Sequence, residues 1–275
     1  MLAGMGMPSA LWLPYVAPFA NRYRFYMPDL RGFGASVGVP MRDADVFESN
    51  TKDLVDLVAH YGLRNHRLVG YSLGASTSLH YLRSHGFGNV RSYLHIDQSP
   101  FVGSSDSWTH GLCGERQSDI ARTLSAVRPL LDAHPAAEYL GELPRTVRAE
   151  LAAHLTELFL LLGKADTKPG AFRAFTSLPK RIARHLPLTR LSDLRTVVGS
   201  YGRGGHDYRE ALRGCSTPIT VFVGMQSQLY ASEGQEAIAA LASDARVVRF
   251  ERSGHVPLVD EPRKFVRELG RHLSR

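Results

Sequence analysis

Cysteine is rare in this chain: only Cys113 and Cys215 occur among 275 residues. Two cysteines this far apart form neither a metal-binding motif nor a disulfide framework, which excludes cysteine-rich zinc modules and disulfide-stabilised secreted domains. We expect both side chains to pack as small apolar groups in the interior, and we predict a cytoplasmic protein.

Long apolar runs are absent as well. The most apolar predicted helix, LTELFLLLG at 155–163, is shorter than the roughly 20 residues that a membrane-spanning helix needs. The apolar N-terminus has no basic region and contains Pro8, Pro14 and Pro18, which is atypical of a signal peptide. The sequence therefore predicts no membrane association.

Positive charge is in excess but it is not concentrated. The formal net charge is +7, yet the arginines are spread along the chain and no nucleic-acid-binding motif occurs. We interpret the excess as a solvated basic surface. The expected partner is a small molecule, with no nucleic acid and no membrane, and the oligomeric state stays open.

Near-continuous apolar segments alternate with helical patterns along most of the chain. Such segments are typical of parallel strands buried on both faces, and their alternation with helices favours an α/β fold with a doubly wound, mostly parallel sheet. The predicted strands are 23–29, 66–72, 90–98, 218–224 and 245–254, and the predicted helices are 43–62, 73–86, 232–243 and 261–275.

The alternation stops between residues 101 and 195. Only helical patterns occur there, at 117–133, 144–163 and 170–185. An insertion at the carboxyl edge of a parallel sheet lies over the ligand site. We therefore predict a core of residues 1–100 and 196–275 with a helical cap insertion of residues 101–195.

The segment RLVGYSLGAS, residues 67–76, contains Gly-Tyr-Ser-Leu-Gly between a predicted strand and a predicted helix. This context is that of a sharp turn that exposes a nucleophilic serine, here Ser72, at the N-terminus of a helix. Side chains at Gly70 and Gly74 would collide with neighbouring elements in such a turn. The motif alone is weak evidence, so its context carries the prediction.

A serine hydroxyl needs a base, and the best-placed candidate among the twelve histidines is His255. It lies in the segment ERSGHVPLVDEP, in a glycine-containing loop between the last predicted strand and the last predicted helix. This position favours a catalytic histidine over an ordinary core or surface one.

Three motifs, DLRGFGAS (29–36), GYSLG (70–74) and SGHVPLVDEP (253–262), follow each other in the order typical of one family. On these motifs the chain resembles the α/β-hydrolase fold family, and within it the capped, esterase-like serine hydrolases. The resemblance covers essentially the whole chain outside the insertion. It implies an oxyanion hole formed by the backbone N–H groups of Met5 and Leu73.

The resemblance leaves the acid of the triad to be located. The family's usual position, after the seventh strand, holds Ser227, which cannot carry the negative charge that stabilises an imidazolium. A minority of the family carries the acid after the sixth strand, and this pattern assigns Asp97. Glu233 is a weaker candidate in the first turn of a helix. The alternative is that Asp97 caps a turn and the triad is incomplete.

Members of this family also begin with strands that have no counterpart here. The chain starts three residues before Gly4, which matches the glycine that follows the family's third strand. We expect that N-terminal strands amounting to roughly 30 residues are missing. Without them, the strands at 23–29 and 66–72 are expected to have unpaired edges.

The resemblance implies a serine hydrolase that cleaves a carboxylic ester or related acyl bond through Ser72, His255, Asp97 and an acyl-enzyme, without metal or cofactor. The alternatives are a cofactor-free perhydrolase (haloperoxidase) or an acyltransferase on the same triad, and a non-catalytic ligand-binding homologue. The identity of the small acyl substrate is open. Candidate aromatic residues of the substrate pocket are Trp12, Phe33, Tyr71, Phe101, Trp108 and Tyr230.

Overall fold

Parallel strands form a single sheet in the part of the chain that the computed structural model describes, residues 1–161 and 169–275. Neighbours in the sheet are also neighbours in the sequence, and every pair is parallel. Parallel neighbours need a crossover connection, so each strand is followed by helical segments. The strands are His66–Tyr71 (β1), Val90–Ile96 (β2), Ile219–Gly224 (β3) and Ala245–Phe250 (β4).

Helices precede, connect and follow these strands. None in the described ranges is long and apolar enough to cross a membrane. In chain order they are Leu13–Val16 (α1), Val46–His60 (α2), Leu73–His85 (α3), Gln117–Asp132 (α4), Arg145–Leu161 (α5), Pro169–Thr176 (α6), Lys180–Ala183 (α7), Leu191–Gly202 (α8), Arg209–Arg213 (α9), Ser232–Leu241 (α10), Pro257–Asp260 (α11) and Pro262–Leu273 (α12).

Successive strand residues face two different apolar clusters. Leu68 of β1 and Val221 of β3 belong to the cluster that packs against α2, α3 and α10. Val69 and Phe222, one residue further on, belong to the cluster that packs against α1 and α12. Because neighbouring residues of a strand point to opposite faces, helices cover both faces of the sheet. The predicted doubly wound parallel sheet is therefore confirmed.

The predicted strand at 23–29 is wrong. This segment has no regular secondary structure and forms no ladder, although the Met1 amino group donates to Tyr26 O at 2.6 Å. The edge of β1 pairs instead with Leu2, whose N–H donates to Val69 O at 2.8 Å and whose carbonyl accepts from Tyr71 N at 3.1 Å. A single bridging residue cannot supply a continuous ladder to a further strand, so 23–29 stays irregular.

The predicted insertion consists of helices that share an apolar cluster of their own. Leu131 of α4, Leu151 of α5 and Leu194 of α8 are buried together in it. The predicted cap boundary at residue 195 falls inside α8, which is one continuous helix. The extent of a cap domain stays a prediction.

Two of the predicted helices in this region differ in their limits. The helix predicted at 170–185 is interrupted, because Pro179 separates α6 from α7 and cannot donate the backbone hydrogen bond that a continuous helix needs. The helix predicted at 144–163 is described as far as Leu161, and its predicted end lies outside the described residues.

Candidate active site

Ser72 stands on a strained turn between β1 and α3. Its backbone angles are φ 52° and ψ −116°, which a non-glycine residue rarely adopts. A Cβ at Gly70 would lie 2.6 Å from Gly74 O and 2.7 Å from Ser78 Oγ, and a Cβ at Gly74 would overlap the Leu2 carbonyl. Both glycines are thus needed for close packing around the turn, as the sequence predicted.

His255 lies within hydrogen-bond distance of Ser72. Its Nε2 is 2.9 Å from Ser72 Oγ, and its side chain is 19% exposed, so the ring is reachable from solvent but largely enclosed. The rings of Tyr71 and Tyr230 flank the imidazole, with centroids at 5.2 and 6.3 Å. Both tyrosines are buried, and burial raises the pKa of each phenol well above its usual value.

Two acidic residues hold the loop that carries His255. Asp260 accepts from the Gly254 N–H at 2.9 Å. Glu261 accepts from the Ser253 hydroxyl at 2.9 Å and from the Arg252 N–H at 3.0 Å. These contacts explain the carboxylates of the motif SGHVPLVDEP, to which the sequence alone assigned no role.

Asp97 completes the arrangement from the end of β2. It is 0% exposed, and its Oδ2 lies 2.5 Å from His255 Nδ1. A carboxylate can only accept, so Nδ1 carries the proton and Nε2 faces the Ser72 hydroxyl as an acceptor. Asp97, His255 and Ser72 form one continuous hydrogen-bonded series.

The other two candidates for the acid lie in different places. Ser227 forms no hydrogen bond with His255 in the described part of the chain; its hydroxyl donates to Asp97 Oδ2 at 2.9 Å. Glu233 is exposed in the first turn of α10 and accepts from the Ser232 hydroxyl at 3.2 Å. The contact with His255 Nδ1 therefore belongs to Asp97 among these three residues.

A buried hydrogen-bond network that the sequence did not reveal holds the loop after β2. Tyr93 Oη is 2.9 Å from His95 Nδ1, and His95 Nε2 is 2.9 Å from Gln98 O. The Gln98 amide donates to Ser76 Oγ at 2.6 Å, in the helix that follows the nucleophile. Burial lowers the pKa of His95 to about 4, so this ring is neutral near pH 7.

The two predicted oxyanion donors lie in adjoining backbone segments. Leu73 is the first residue of α3, and Met5 lies in a turn closed by the Met7 N–H, which donates to Gly4 O at 3.2 Å. Leu2 packs against Gly74, which brings the N-terminal segment next to the start of α3. Within the described part of the chain, neither the Met5 N–H nor the Leu73 N–H has a hydrogen-bond acceptor.

The predicted pocket aromatics lie in three places. Tyr71 and Tyr230 border His255, and Trp12 packs edge-on against Tyr71 at 6.5 Å. Phe33 is 0% exposed within the core. Phe101 and Trp108 lie on the Arg209 guanidinium, at 5.2 and 5.1 Å from the ring centroids, and their contacts are those of a structural sandwich.

The two cysteines are buried and unpaired, as expected. Among the described residues, no group of three or more histidine, cysteine or acidic side chains could hold a metal ion. The described residues bring together around Ser72 a hydroxyl, an imidazole, a buried carboxylate and two N–H groups that have no acceptor among them.

Comparisons with known proteins agree with this fold. A model of the Alpha/beta hydrolase family matches residues 1–268. A Pimeloyl-[acyl-carrier protein] methyl ester esterase of Chromobacterium violaceum is 24% identical over 280 residues, which cover 100% of this chain and 93% of the relative. 

Two solved structures share the fold at low identity. An esterase from Exiguobacterium antarcticum superposes with a TM-score of 0.70 at 20% identity, covering 100% of this chain and 91% of that one. A bromoperoxidase from Bacillus anthracis superposes with a TM-score of 0.65 at 16% identity, covering 100% and 90%. At these identities the likeness shows the fold alone.

Proposed function

Since the chain belongs to the alpha/beta hydrolase family, we propose that it is a serine hydrolase that cleaves a carboxylic ester or a related acyl bond. One observation carries the proposal: Asp97 Oδ2, His255 and Ser72 Oγ form a continuous series with distances of 2.5 and 2.9 Å. A serine hydroxyl in contact with an oriented imidazole base is an activated nucleophile.

In the acylation step Ser72 Oγ attacks the ester carbonyl carbon while its proton passes to His255 Nε2. The Met5 and Leu73 N–H groups stabilise the negative charge that develops on the carbonyl oxygen, and the positive end of the α3 dipole adds to this effect. The ester C–O bond then breaks, and His255 gives its proton to the leaving alkoxide.

In the deacylation step a water molecule gives a proton to His255 and attacks the acyl-enzyme. Collapse of the second tetrahedral intermediate returns the proton to Ser72 and releases the carboxylic acid. Asp97 accepts from His255 Nδ1 throughout, which holds the ring orientation and stabilises the imidazolium in both steps. None of these steps requires a metal or an organic cofactor.

The substrate class is proposed from the insertion and from the relatives. We assign residues 101–195 to a cap that covers the acyl group, because these helices follow directly from the loop that carries Asp97. The curated relatives from Chromobacterium violaceum and Vibrio cholerae are named methyl ester esterases. Methyl esters of carboxylic acids are therefore the first small molecules to try. Two buried free cysteines suit a reducing cytoplasm.

The same groups would also support perhydrolysis, in which hydrogen peroxide replaces water at the acyl-enzyme. The structural likeness to a Bacillus anthracis bromoperoxidase is the observation that favours testing this reaction. Peroxide-dependent bromination in the presence of acetate distinguishes it, since a hydrolase without this activity shows none above the S72A background.

The test of the proposed function is labelling with a fluorophosphonate, with the modified peptide mapped by mass spectrometry. We expect labelling at Ser72 that is lost in S72A and H255A and retained in S84A, which removes an exposed hydroxyl from the same helix. Hydrolysis of p-nitrophenyl and methyl esters is then measured on the same variants. A folded protein that neither labels nor hydrolyses any ester would overturn the proposal in favour of a ligand-binding homologue.

A further inference from the structure

We propose that Ser227 and Gln235 are positioning residues that fix the rotation of the Asp97 carboxylate so that Oδ2 faces His255. This inference rests on the proposed function. It concerns two residues that do not touch Ser72 or a substrate and act only through Asp97.

The first argument is the burial of the carboxylate. Asp97 is 0% exposed, and a buried carboxylate is tolerated only when donors satisfy its oxygens. Its three side-chain donors come from three different elements: His255 after β4, Ser227 after β3 and Gln235 in α10. Ser227 donates to Oδ2, the oxygen that also accepts from His255, and Gln235 donates to Oδ1.

The direction of the Ser227 hydrogen bond follows from its partners. Ser227 Oγ accepts from the Tyr230 N–H at 3.4 Å and lies 2.9 Å from Asp97 Oδ2. Because the carboxylate can only accept, the hydroxyl proton points at Oδ2. The Ser227 N–H donates to Gly224 O at 3.1 Å, which ties this loop to the end of β3.

Gln235 is a fully buried amide whose orientation is also determined by acceptors. Its Nε2 lies 2.8 Å from Tyr230 O and 3.2 Å from Asp97 Oδ1. Its Oε1 is buried without a hydrogen-bond partner among the described residues. A buried oxygen without a hydrogen bond destabilises the fold. The Gln235 amide thus donates to Asp97 although its own oxygen lowers the stability of the protein.

Space for the carboxylate is provided on the remaining side. Gly224 ends β3, and a Cβ there would overlap Asp97 Oδ1 and Gly254 O. Ser227 and Gln235 donate to different oxygens of the carboxylate, and backbone atoms lie on a third side. Rotation of the carboxylate about the Cβ–Cγ bond of Asp97 would therefore break the hydrogen bond from Ser227, the one from Gln235, or both. Loss of a donor should therefore lower the fraction of molecules with His255 correctly oriented, and this lowers kcat and not substrate affinity.

The first measurement compares S227A, S227T and Q235M with the wild type on one ester. S227A should lower kcat about 10-fold with KM within about twofold, since a hydrogen bond to a charged group is lost. S227T restores the hydroxyl and should recover most of kcat. Q235M keeps the volume, removes the donor and should lower kcat by a similar factor. S232A, which removes a surface hydroxyl at the start of α10, should match the wild type.

The decisive experiment is a double-mutant cycle with D97N, which removes the group through which Ser227 acts. S227A should cause no further fall of kcat in the D97N background, whereas a merely structural role would cost the same factor in both backgrounds. An equal factor in both, or no effect of S227A on kcat, overturns the inference. If S227A does not fold, S227C, which keeps a weaker donor, replaces it in the cycle.

Failure of the inference and failure of the proposed function give different results. A wild type that labels with fluorophosphonate and hydrolyses esters while S227A does the same contradicts only the positioning role. A folded wild type without labelling or turnover contradicts the proposed function and the inference with it. If ester turnover is too slow to measure, the rate of Ser72 labelling by the fluorophosphonate replaces kcat in the double-mutant cycle.

Discussion

At the scale of single residues, two non-glycine backbones with positive φ shape the site. Ser72 has φ 52° and Asp97 has φ 46°, and such conformations cost about 1 kcal/mol or more each. The two are held by ladder hydrogen bonds at the ends of neighbouring strands: Ser72 N donates to Ile96 O at 3.1 Å, and Asp97 N to Phe222 O at 3.0 Å.

Gly224 tests how closely the acid loop is packed. G224A should lower the free energy of unfolding by about 2 kcal/mol, since its Cβ meets backbone that cannot move away easily. It should also lower ester hydrolysis more than 10-fold by displacing Asp97. Urea denaturation and kcat are the measurements.

G88A is the matched control, because a Cβ at Gly88 meets nothing within 4 Å. The control should be indistinguishable from the wild type in both stability and kcat. Equal behaviour of G224A and G88A would contradict the packing around Asp97 described above.

The residues that meet at the site were predictable from motifs and from the family resemblance. Ser72 and His255 lie in short motifs, and Asp97 was assigned from the family's minority position after the sixth strand; the structure brings the three together, while their roles stay a proposal. Ser227, Gln235 and Gln98 gave no such signal as donors, because each donates to a residue that is distant in sequence and belongs to another element. The sequence singled out Ser227 only because it departs from a family pattern, and its hydrogen bond to Asp97 became visible only in the structure.

At the scale of elements, β2 carries a buried histidine that makes stability depend on pH. Burial lowers the pKa of His95 to about 4, below the ordinary value near 6.5. The unfolded chain therefore binds a proton more readily than the folded one. The contribution of the neutral His95 ring to the free energy of unfolding is fully present above about pH 6.5 and is lost as the pH decreases towards 4.

His272 of α12 has the same property, with a pKa that burial lowers to about 3. Each histidine should reduce the free energy of unfolding by about 2 kcal/mol between pH 7.5 and pH 5. H95Q should remove about 2 kcal/mol of the difference between the two pH values, and H95Q/H272Q about twice as much. The pH dependence that remains includes His66 and His80, whose pKa burial also lowers. The free energy of unfolding is measured by urea denaturation at both pH values. If H95Q shows the same difference between the two as the wild type, the His95 ring is not buried in its neutral form.

Helices and strands were predictable where the residues of the segment itself carry the apolar pattern. Strands β1 to β4 are apolar on both faces, and helices α2, α3, α10 and α12 have apolar stripes, so these elements were predicted from sequence to within a few residues. The segment 23–29 has the same apolar character, but a strand also needs a neighbour to pair with. Among residues 1–161 and 169–275, Leu2 alone pairs with the free edge of β1, and no local sequence pattern indicates this.

At the scale of the whole molecule, Asp45 links the core to the chain that returns from the insertion. Its carboxylate caps α2 by accepting from Phe47 N and Glu48 N, and it also binds Arg203 Nη2 at 3.1 Å and His206 Nε2 at 3.0 Å. Burial alone would raise the pKa of Asp45, but the hydrogen bonds, that from His206 first, hold it well below the usual value. The link is therefore charged above about pH 4 and is lost only as the pH falls further.

D45A should lower the free energy of unfolding by about 3 kcal/mol at pH 7, since it removes a helix cap and leaves Arg203 and His206 without their acid. D45S keeps a capping oxygen and should lose less. D56A removes an exposed partner of Arg42 and should change stability by less than about 1 kcal/mol. Thermal or urea unfolding of the three variants is the measurement, and a D45A value equal to that of D56A would contradict the link.

Ser72 and His255 are separated by 183 residues of sequence, although their side chains touch. During synthesis the serine turn can form as soon as β1 and α3 exist, but its base arrives only after the helices of the insertion, β3 and β4 have been made. A ribosome-bound chain that does not yet include His255 thus carries Ser72 as an ordinary alcohol. Under the proposed function, the order of the strands keeps the enzyme inactive during its own synthesis.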